Sequence, residues 1–214
     1  MIIDCISDLH GNYPNLEGGD LLIIAGDLTT SDTEDQYIDF WRWTCYQNYK
    51  KVIVIAGNHD NYLENFPGTL KDGGDHLEYL CDSATEFEGL SIWGSPWTLT
   101  FPGINPHCTA FTGTEAELEA KFALIPNDVH ILITHGPPYS ILDQTIRGEN
   151  VGSRSLFQEF YSERIKPKLH IFGHIHESYG HIPKFMDAPG VQFVNCSHVN
   201  EHYKPVNKPI RIEV

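Results

Sequence analysis

Six short apolar runs rich in β-branched residues punctuate the chain, at 2–6, 21–25, 52–56, 130–134, 169–172 and 191–195. Each has the length of a strand, and three are continuous enough for burial on both faces. The residues just after the first five runs constrain the chain most. The first run leads into Ser7-Asp8-Leu9-His10-Gly11, the second into Gly26-Asp27, and the third into Gly57-Asn58-His59-Asp60. The fourth leads into His135-Gly136 and the fifth into Gly173-His174-Ile175-His176. Five strands that each end in Asp, His or Asn point to one edge of a largely parallel sheet, because ligands of open α/β sheets bind beyond the carboxyl ends of the strands. Gly beside these residues lets the backbone turn tightly there.

Helical patterns separate the runs. Between residues 32 and 50, Tyr37, Phe40, Trp41, Thr44 and Cys45 recur at i, i+3, i+4, i+7 and i+8, which predicts a helix with one apolar stripe. Phe40, Trp41, Phe157 and Phe160 are expected in the core. Thr114 followed by Glu117 has the pattern of a capping box, opening a helix to about Leu124. Ser153 is placed to cap a helix carrying Leu156, Phe157, Phe160 and Tyr161, which Pro167 cannot extend. The charge-free stretch 89–114 contains several Gly and Pro and reads as short strands and a long loop. The tail from 191 to 214 reads as a strand, a loop and a closing strand. Strands alternating with helices predict an α/β fold, and 214 residues fit a single domain over 1–214.

Charge narrows the function. Asp and Glu number 29 against 14 Lys and Arg, a formal net charge of -15. So acidic a chain is ill-suited to long nucleic acid or to anionic lipid, both of which need basic surface. Five cysteines, none in a CxxC pair, and a first apolar run interrupted at Asp4 suggest a reduced, cytoplasmic setting with no membrane segment. Cys5 and Cys45 are expected as buried thiols.

Asp8 and His10 are separated by one residue, as are His174 and His176. On extended backbone i and i+2 face the same side, so each pair could grip one ion. Asp27 can bridge through its two oxygens, and Asn58 offers a neutral carbonyl. Imidazole with carboxylate suits Mn, Zn, Fe or Ni rather than Ca. The set exceeds the three protein ligands of a catalytic zinc site. It fits two metals about 3.5–4 Å apart, an arrangement used for in-line displacement at phosphorus.

From Asp8 to His176 these five blocks resemble the calcineurin-like metallophosphoesterase superfamily. The segments 135–139, 141–143 and 166–177 resemble its small metallophosphoesterase domain-containing branch, some members of which hydrolyse 2′,3′-cyclic nucleotides. The resemblance implies a four-layer α/β/β/α sandwich, with two mixed β-sheets flanked by helices. It implies two divalent ions, Mn²⁺ first, with Fe, Zn, Ni or Mg as substitutes. By the family pattern Asp8, His10 and His176 hold the first ion, Asp27 bridges, and Asn58, His135 and His174 hold the second. His59 is left to act on the substrate. Asp60 either orients that imidazole or caps the next turn. The phosphatase branch carries Arg in its second block, where this chain has Leu28-Thr29-Thr30, which argues against protein-phosphatase activity.

The implied activity is a two-metal hydrolase of small phosphate esters, first a phosphodiesterase on nucleotides such as 2′,3′-cyclic nucleotides. Two ions would bring a bridging water near neutrality for in-line attack. His59 would protonate or stabilise the leaving oxygen. A monoesterase or nuclease on the same site, and a non-catalytic metal-binding scaffold, are the alternatives. Arg147 and Arg154 are candidate substrate contacts or else surface ion-pair residues. Trp93, Trp97 and Phe101 form either a base-stacking wall or part of the core. His198 and His202, near the last strands, are the remaining histidines of interest.

Overall fold

The computed structural model describes residues 1–70, 74–103 and 106–213. The chain runs through β1 (Ile2–Ile6), β2 (Gly19–Ala25), α1 (Glu34–Cys45), β3 (Tyr49–Ile55), α2 (Asn61–Asn65) and β4 (Leu77–Tyr79). It continues with β5 (Ser83–Phe87), β6 (Leu90–Ser95), β7 (Thr98–Leu99), β8 (Thr112–Gly113), α3 (Glu115–Phe122) and β9 (Ile131–Thr134). Then come α4 (Arg154–Tyr161), β10 (Leu169–Phe172), a 3-10 turn at His176–Ser178, β11 (Gly180–Ile182), β12 (Gln192–Asn195) and β13 (Ile210–Glu213).

Two large sheets result, ordered β13-β1-β2-β3-β4 and β11-β12-β10-β9-β6-β5. Their inner pairings are parallel, whereas β13, β11 and β5 join antiparallel. The five strands that carry the Asp, His and Asn blocks are all inner strands. Covered on both faces, they can be apolar throughout, which is why their runs are continuous.

Alternation along each strand builds the layers. Ile3, Cys5, Leu21, Ile23, Ile53 and Ile55 of the first sheet pack against Ile92, Ile131, Ile133, Ile171 and Val194 of the second. The opposite face of the first sheet, with Leu22, Ile24, Val52 and Val54, buries Tyr37 and Phe40 of α1. The outer face of the second, with Leu132, Phe172 and Phe193, buries Leu118 and Phe122 of α3 and Leu156 and Phe160 of α4. The four-layer sandwich with mixed sheets is thereby present. The sheets also join at one end: Ser7, after β1, donates through N to Cys196 O at 3.0 Å, and its carbonyl accepts from His198 N at 2.8 Å.

Both predicted caps form. Thr114 and Glu117 make a reciprocal capping box on α3, and Ser153 Oγ accepts from Leu156 N on α4. Glu115 then ties the two helices, accepting from Arg154 N at 2.7 Å and Ser155 N at 3.0 Å. Its carboxylate sits where the amides at the start of α4 favour an anion. The predicted stripe on α1 is wider than the one observed. Tyr37, Phe40 and Thr44 are buried, but Trp41 and Cys45 are exposed, since one residue further round the helix carries the side chain off the sheet. Cys5 is buried as expected, and none of the five cysteines is in a disulfide. No helix among the described residues is long and apolar enough to cross a membrane.

His170 lies wholly buried on the helix-facing side of β10, against Phe160, Phe172 and Phe193. Thr134 Oγ1 donates to Gly136 O and so accepts from His170 Nε2 at 2.8 Å. Burial pushes this imidazole down to about 3 from 6.5. The folded chain thus keeps it neutral, while the unfolded chain takes up a proton below pH 6.5. Its contribution is present above that pH and is lost as pH falls towards 3, at up to about 1.4 kcal/mol per pH unit. His170→Gln is therefore expected to lose up to about 2 kcal/mol less than the parent between pH 6.5 and 5. Urea unfolding at both pH values checks this, and equal losses would refute it.

Candidate metal centre

The carboxyl ends of β1, β2, β3, β9 and β10 converge from both sheets, bringing together every expected ligand block. Asp8 and Asp27 are buried at 0% and 1% exposure. Buried carboxylates need compensating partners. Asp8 Oδ1 lies 3.3 Å from His176 Nε2. Asp27 Oδ1 faces His135 Nε2 at 3.4 Å, while its Oδ2 faces His10 Nε2 at 3.6 Å and His59 Nε2 at 3.9 Å. Its two oxygens thus look to opposite halves of the site. Asn58 Oδ1 is 3.0 Å from His135 Nε2. The His135 and His174 rings are 5.0 Å apart, and those of His10 and His176 5.4 Å.

Four of these residues, Asp8, His10, Asp27 and His174, have φ between 43° and 70°. Non-glycine residues seldom occupy this region, and where they do they cluster at functional sites. The geometry corrects the expectation of extended i, i+2 pairs. Asp8 and His10 do share a side, with His176. His174 and His176 do not: the left-handed backbone at His174 turns its ring to His135, and His176 faces Asp8. Small residues permit the approach. A Cβ at Gly57 would collide with Asp27 Oδ1 and His135, and one at Gly173 with Ser7 Oγ and Asp8 Oδ2.

Electrostatics follow from burial and charge. Burial alone would raise Asp8 and Asp27, but the surrounding imidazoles outweigh it and hold both well below the usual carboxylate range. Burial pushes His10 down to about 4 and His174 to about 3. Burial also works against charge on His135, yet Asp27 and Asp8 prevail and raise it to about 9. His176 is likewise raised by Asp8 against its burial.

The residues fit divalent cations. Nε2 of His10 and of His174 are buried without any hydrogen-bond partner. His135 Nδ1 is 2.8 Å from Ala25 O and His176 Nδ1 is 3.1 Å from Asn200 O. With Nδ1 donating to a backbone carbonyl, each Nε2 is left to coordinate, a common arrangement around metal-bound histidine. Ligand atoms of Asp8, His10 and His176, of His10, Asp27 and His59, and of Asp8, Asp27 and His135 form groups within 4.8 Å.

The family model for calcineurin-like phosphoesterases matches residues 1–178. The chain belongs to the calcineurin-like phosphoesterase family. It is 35% identical to human metallophosphoesterase domain-containing protein 1 over 236 residues, 98% of this chain and 70% of that protein. It is 29% identical to UPF0046 protein T07D4.2 of Caenorhabditis elegans over 243 residues, 98% of this chain and 59% of that protein. A solved structure covering 91% of this chain and 89% of its own superposes with a TM-score of 0.72 at 15% identity, which supports the fold. As a calcineurin-like phosphoesterase the chain is a metal-dependent phosphoesterase, and the family implies two divalent ions.

Other expectations need correcting. Asp60 does not orient His59, nor does its side chain cap α2. Its Oδ2 accepts from Asp27 N at 2.9 Å and Gly57 N at 2.7 Å, and its Oδ1 from Leu28 N at 3.2 Å and Tyr37 Oη at 2.8 Å. It fastens the β2 and β3 turns of the phosphoesterase site to each other and to α1. Burial and the Asp27 charge push it up to about 7. The Arg154 guanidinium lies 3.8 Å over the Tyr139 ring. Trp93 belongs to the helix-side core, and Trp97 donates to Asp82 Oδ2. His198 contacts Asn207 O, and His202 is exposed beside Glu201. Phe101 and Arg147 are placed differently. Both line a cavity of about 680 Å³ that opens at Asn58 and His174. Phe101 stacks on the His174 ring at 5.7 Å.

Two neighbours of the site had no signal in the sequence. The Tyr203 ring is 4.8 Å from His10 and 5.4 Å from His176, at φ 56°. Cys108 Sγ is 3.3 Å from His59 Nδ1. Neither residue lies in a strand-end block.

Asp60→Asn tests the fastening role. An amide offers one acceptor oxygen, so either Leu28 N or the pair Asp27 N and Gly57 N loses its acceptor, while Tyr37 Oη keeps Asp32 Oδ1 at 2.7 Å. The expected cost is roughly 2–4 kcal/mol of unfolding free energy. Urea denaturation reads it, and an unchanged midpoint would remove Asp60 from the framework.

Proposed function

We propose that this phosphoesterase hydrolyses small phosphodiesters, nucleotides and 2′,3′-cyclic nucleotides among them. Asp8, His10 and His176 hold one ion, Asn58, His135 and His174 the other, and Asp27 lies between them. Mn²⁺ is the first choice, since carboxylate, imidazole and amide oxygen all suit it. The observation that carries the reading is the cavity of about 680 Å³ beginning at Asn58 and His174. Its size suits the organic part of a small ester. Leu99, Phe101, Ile146 and Val151 give it apolar walls, and its rim carries Arg147 together with the carboxylates of Glu149 and Glu177.

Bound divalent ions supply Lewis acidity towards the phosphoryl oxygens and a water acidified to near neutrality. The chain's own groups place the ester. Asn58 and His174 bring the ligand set to the cavity mouth, and Phe101 offers a flat face. His59 Nε2 projects towards Asp27 and is placed to donate to the oxygen that leaves phosphorus. The net charge of -15 disfavours long polyanions. Five cysteines outside any disulfide agree with a reduced, cytoplasmic setting.

Metal-quantified protein should hydrolyse bis(p-nitrophenyl) phosphate and 2′,3′-cyclic AMP with Mn²⁺ and lose both activities to a chelator. Preference for p-nitrophenyl phosphate would indicate a monoesterase, and inactivity on all three with any metal would indicate a scaffold. His59→Asn should keep its metal content and lose about 10²–10³-fold in kcat on the diesters, the usual cost of removing a donor to a developing oxyanion. Near-normal kcat would remove His59 from the reaction.

A further inference from the structure

The two ring nitrogens of His59 have different neighbours. Nε2 faces the carboxylate cluster, 3.9 Å from Asp27 Oδ2. Nδ1 points the other way, to Cys108 Sγ at 3.3 Å. The segment bearing Cys108 is docked on the turn that carries His59. Asn58 Nδ2 donates to Cys108 O at 3.3 Å, and Asn61 Nδ2 donates to His107 O at 3.0 Å. Phe111 N, further along, donates to Glu64 Oε1 at 2.9 Å. The thiol is thus held at the imidazole by bonds on both sides of it.

A neutral imidazole donates from one nitrogen and accepts at the other. To donate to a leaving oxygen, His59 must carry its hydrogen on Nε2, which leaves Nδ1 as an acceptor. A thiol is a weak donor, and Nδ1 is the acceptor in front of it. Asp60 does not take this place, because it is engaged by Asp27 N, Leu28 N, Gly57 N and Tyr37 Oη.

We infer that Cys108 is a positioning residue for the phosphoester reaction, its thiol donating to His59 Nδ1 and holding the ring in the tautomer that presents Nε2–H to the leaving oxygen. The inference rests on the phosphodiesterase reading above. When the phosphorus–oxygen bond breaks, its electron pair goes to the leaving oxygen. Nε2–H donates a hydrogen bond to that oxygen, whose final proton comes from water. The thiol proton stays on sulfur throughout.

A leaving oxygen that carries more negative charge needs this donor more. Diphenyl phosphate and bis(p-nitrophenyl) phosphate differ in that respect, since phenolate is the poorer leaving group. Cys108→Ala should lower kcat on both and lower it about ten-fold more on diphenyl phosphate, the effect of one hydrogen bond. KM should change equally for the two esters. Cys108→Ser, whose hydroxyl can donate to Nδ1, should recover most of that difference. In a His59→Asn background, Cys108→Ala should remove nothing further. Equal losses on the two esters, no recovery in Cys108→Ser, or a full additional loss in the His59→Asn background would each overturn the role. Wild-type protein inactive on both esters would instead defeat the phosphodiesterase reading itself.

Discussion

Burial of the Asp8 and Asp27 carboxylates among imidazoles is the constraint on which the rest of the structure depends. Two carboxylates that water barely reaches cost several kcal/mol each unless charge and hydrogen bonds compensate. Here His10, His135 and His176 lie within 3.6 Å of a carboxylate oxygen, and the His174 backbone N–H donates to Asp8 at 3.0 Å. No single sheet could supply that set. Asp8, His10, Asp27 and Asn58 come from the first, and His135, His174 and His176 from the second. The sandwich must therefore close at this edge, where Ser7 bonds across to Cys196 and His198.

The same constraint explains the unusual backbone around the site. Parallel inner strands bring their ends to one edge but point them past the metal centre. Left-handed turns at Asp8, Asp27 and His174 bring the side chains back inward. Gly57 and Gly173 leave room for the ligands to pack against main chain. Asp60 then locks the β2 and β3 turns by accepting from three backbone amides. A set of strained turns persists because the surroundings over-determine it.

Much of this was legible along the chain because its signals are local. An inner parallel strand must be apolar on both faces, so the runs at 21–25 and 52–56 announced themselves. A chain reversal at a strand end needs small residues, so Gly26, Gly57 and Gly173 marked the Asp, Asn and His positions beside them. Caps depend on residues three apart, and both Thr114 and Ser153 were readable. Contacts between distant segments were not. Trp41 and Cys45 matched the helical period, yet which part of the stripe met the sheet depended on how α1 was docked. Asp60 stood beside His59 in sequence, but the local turn sent its carboxylate to Asp27 and Leu28. Arg147 and Arg154 were equivalent in the sequence, and only one of them reached the cavity.

The α/β class, the strand ends that carry Asp, His and Asn, the donor types and the family were readable from the chain alone. Each of these is written in residue identity and short-range spacing. Tertiary structure decided which donors meet. It set His174 against His135 and His176 against Asp8, placed Tyr203 beside His10, and brought Cys108 to His59 across 49 residues of chain. The physical reason is that donor chemistry belongs to single side chains. Their approach to within a few ångströms depends on turn geometry and on how two sheets pack, which no local pattern encodes.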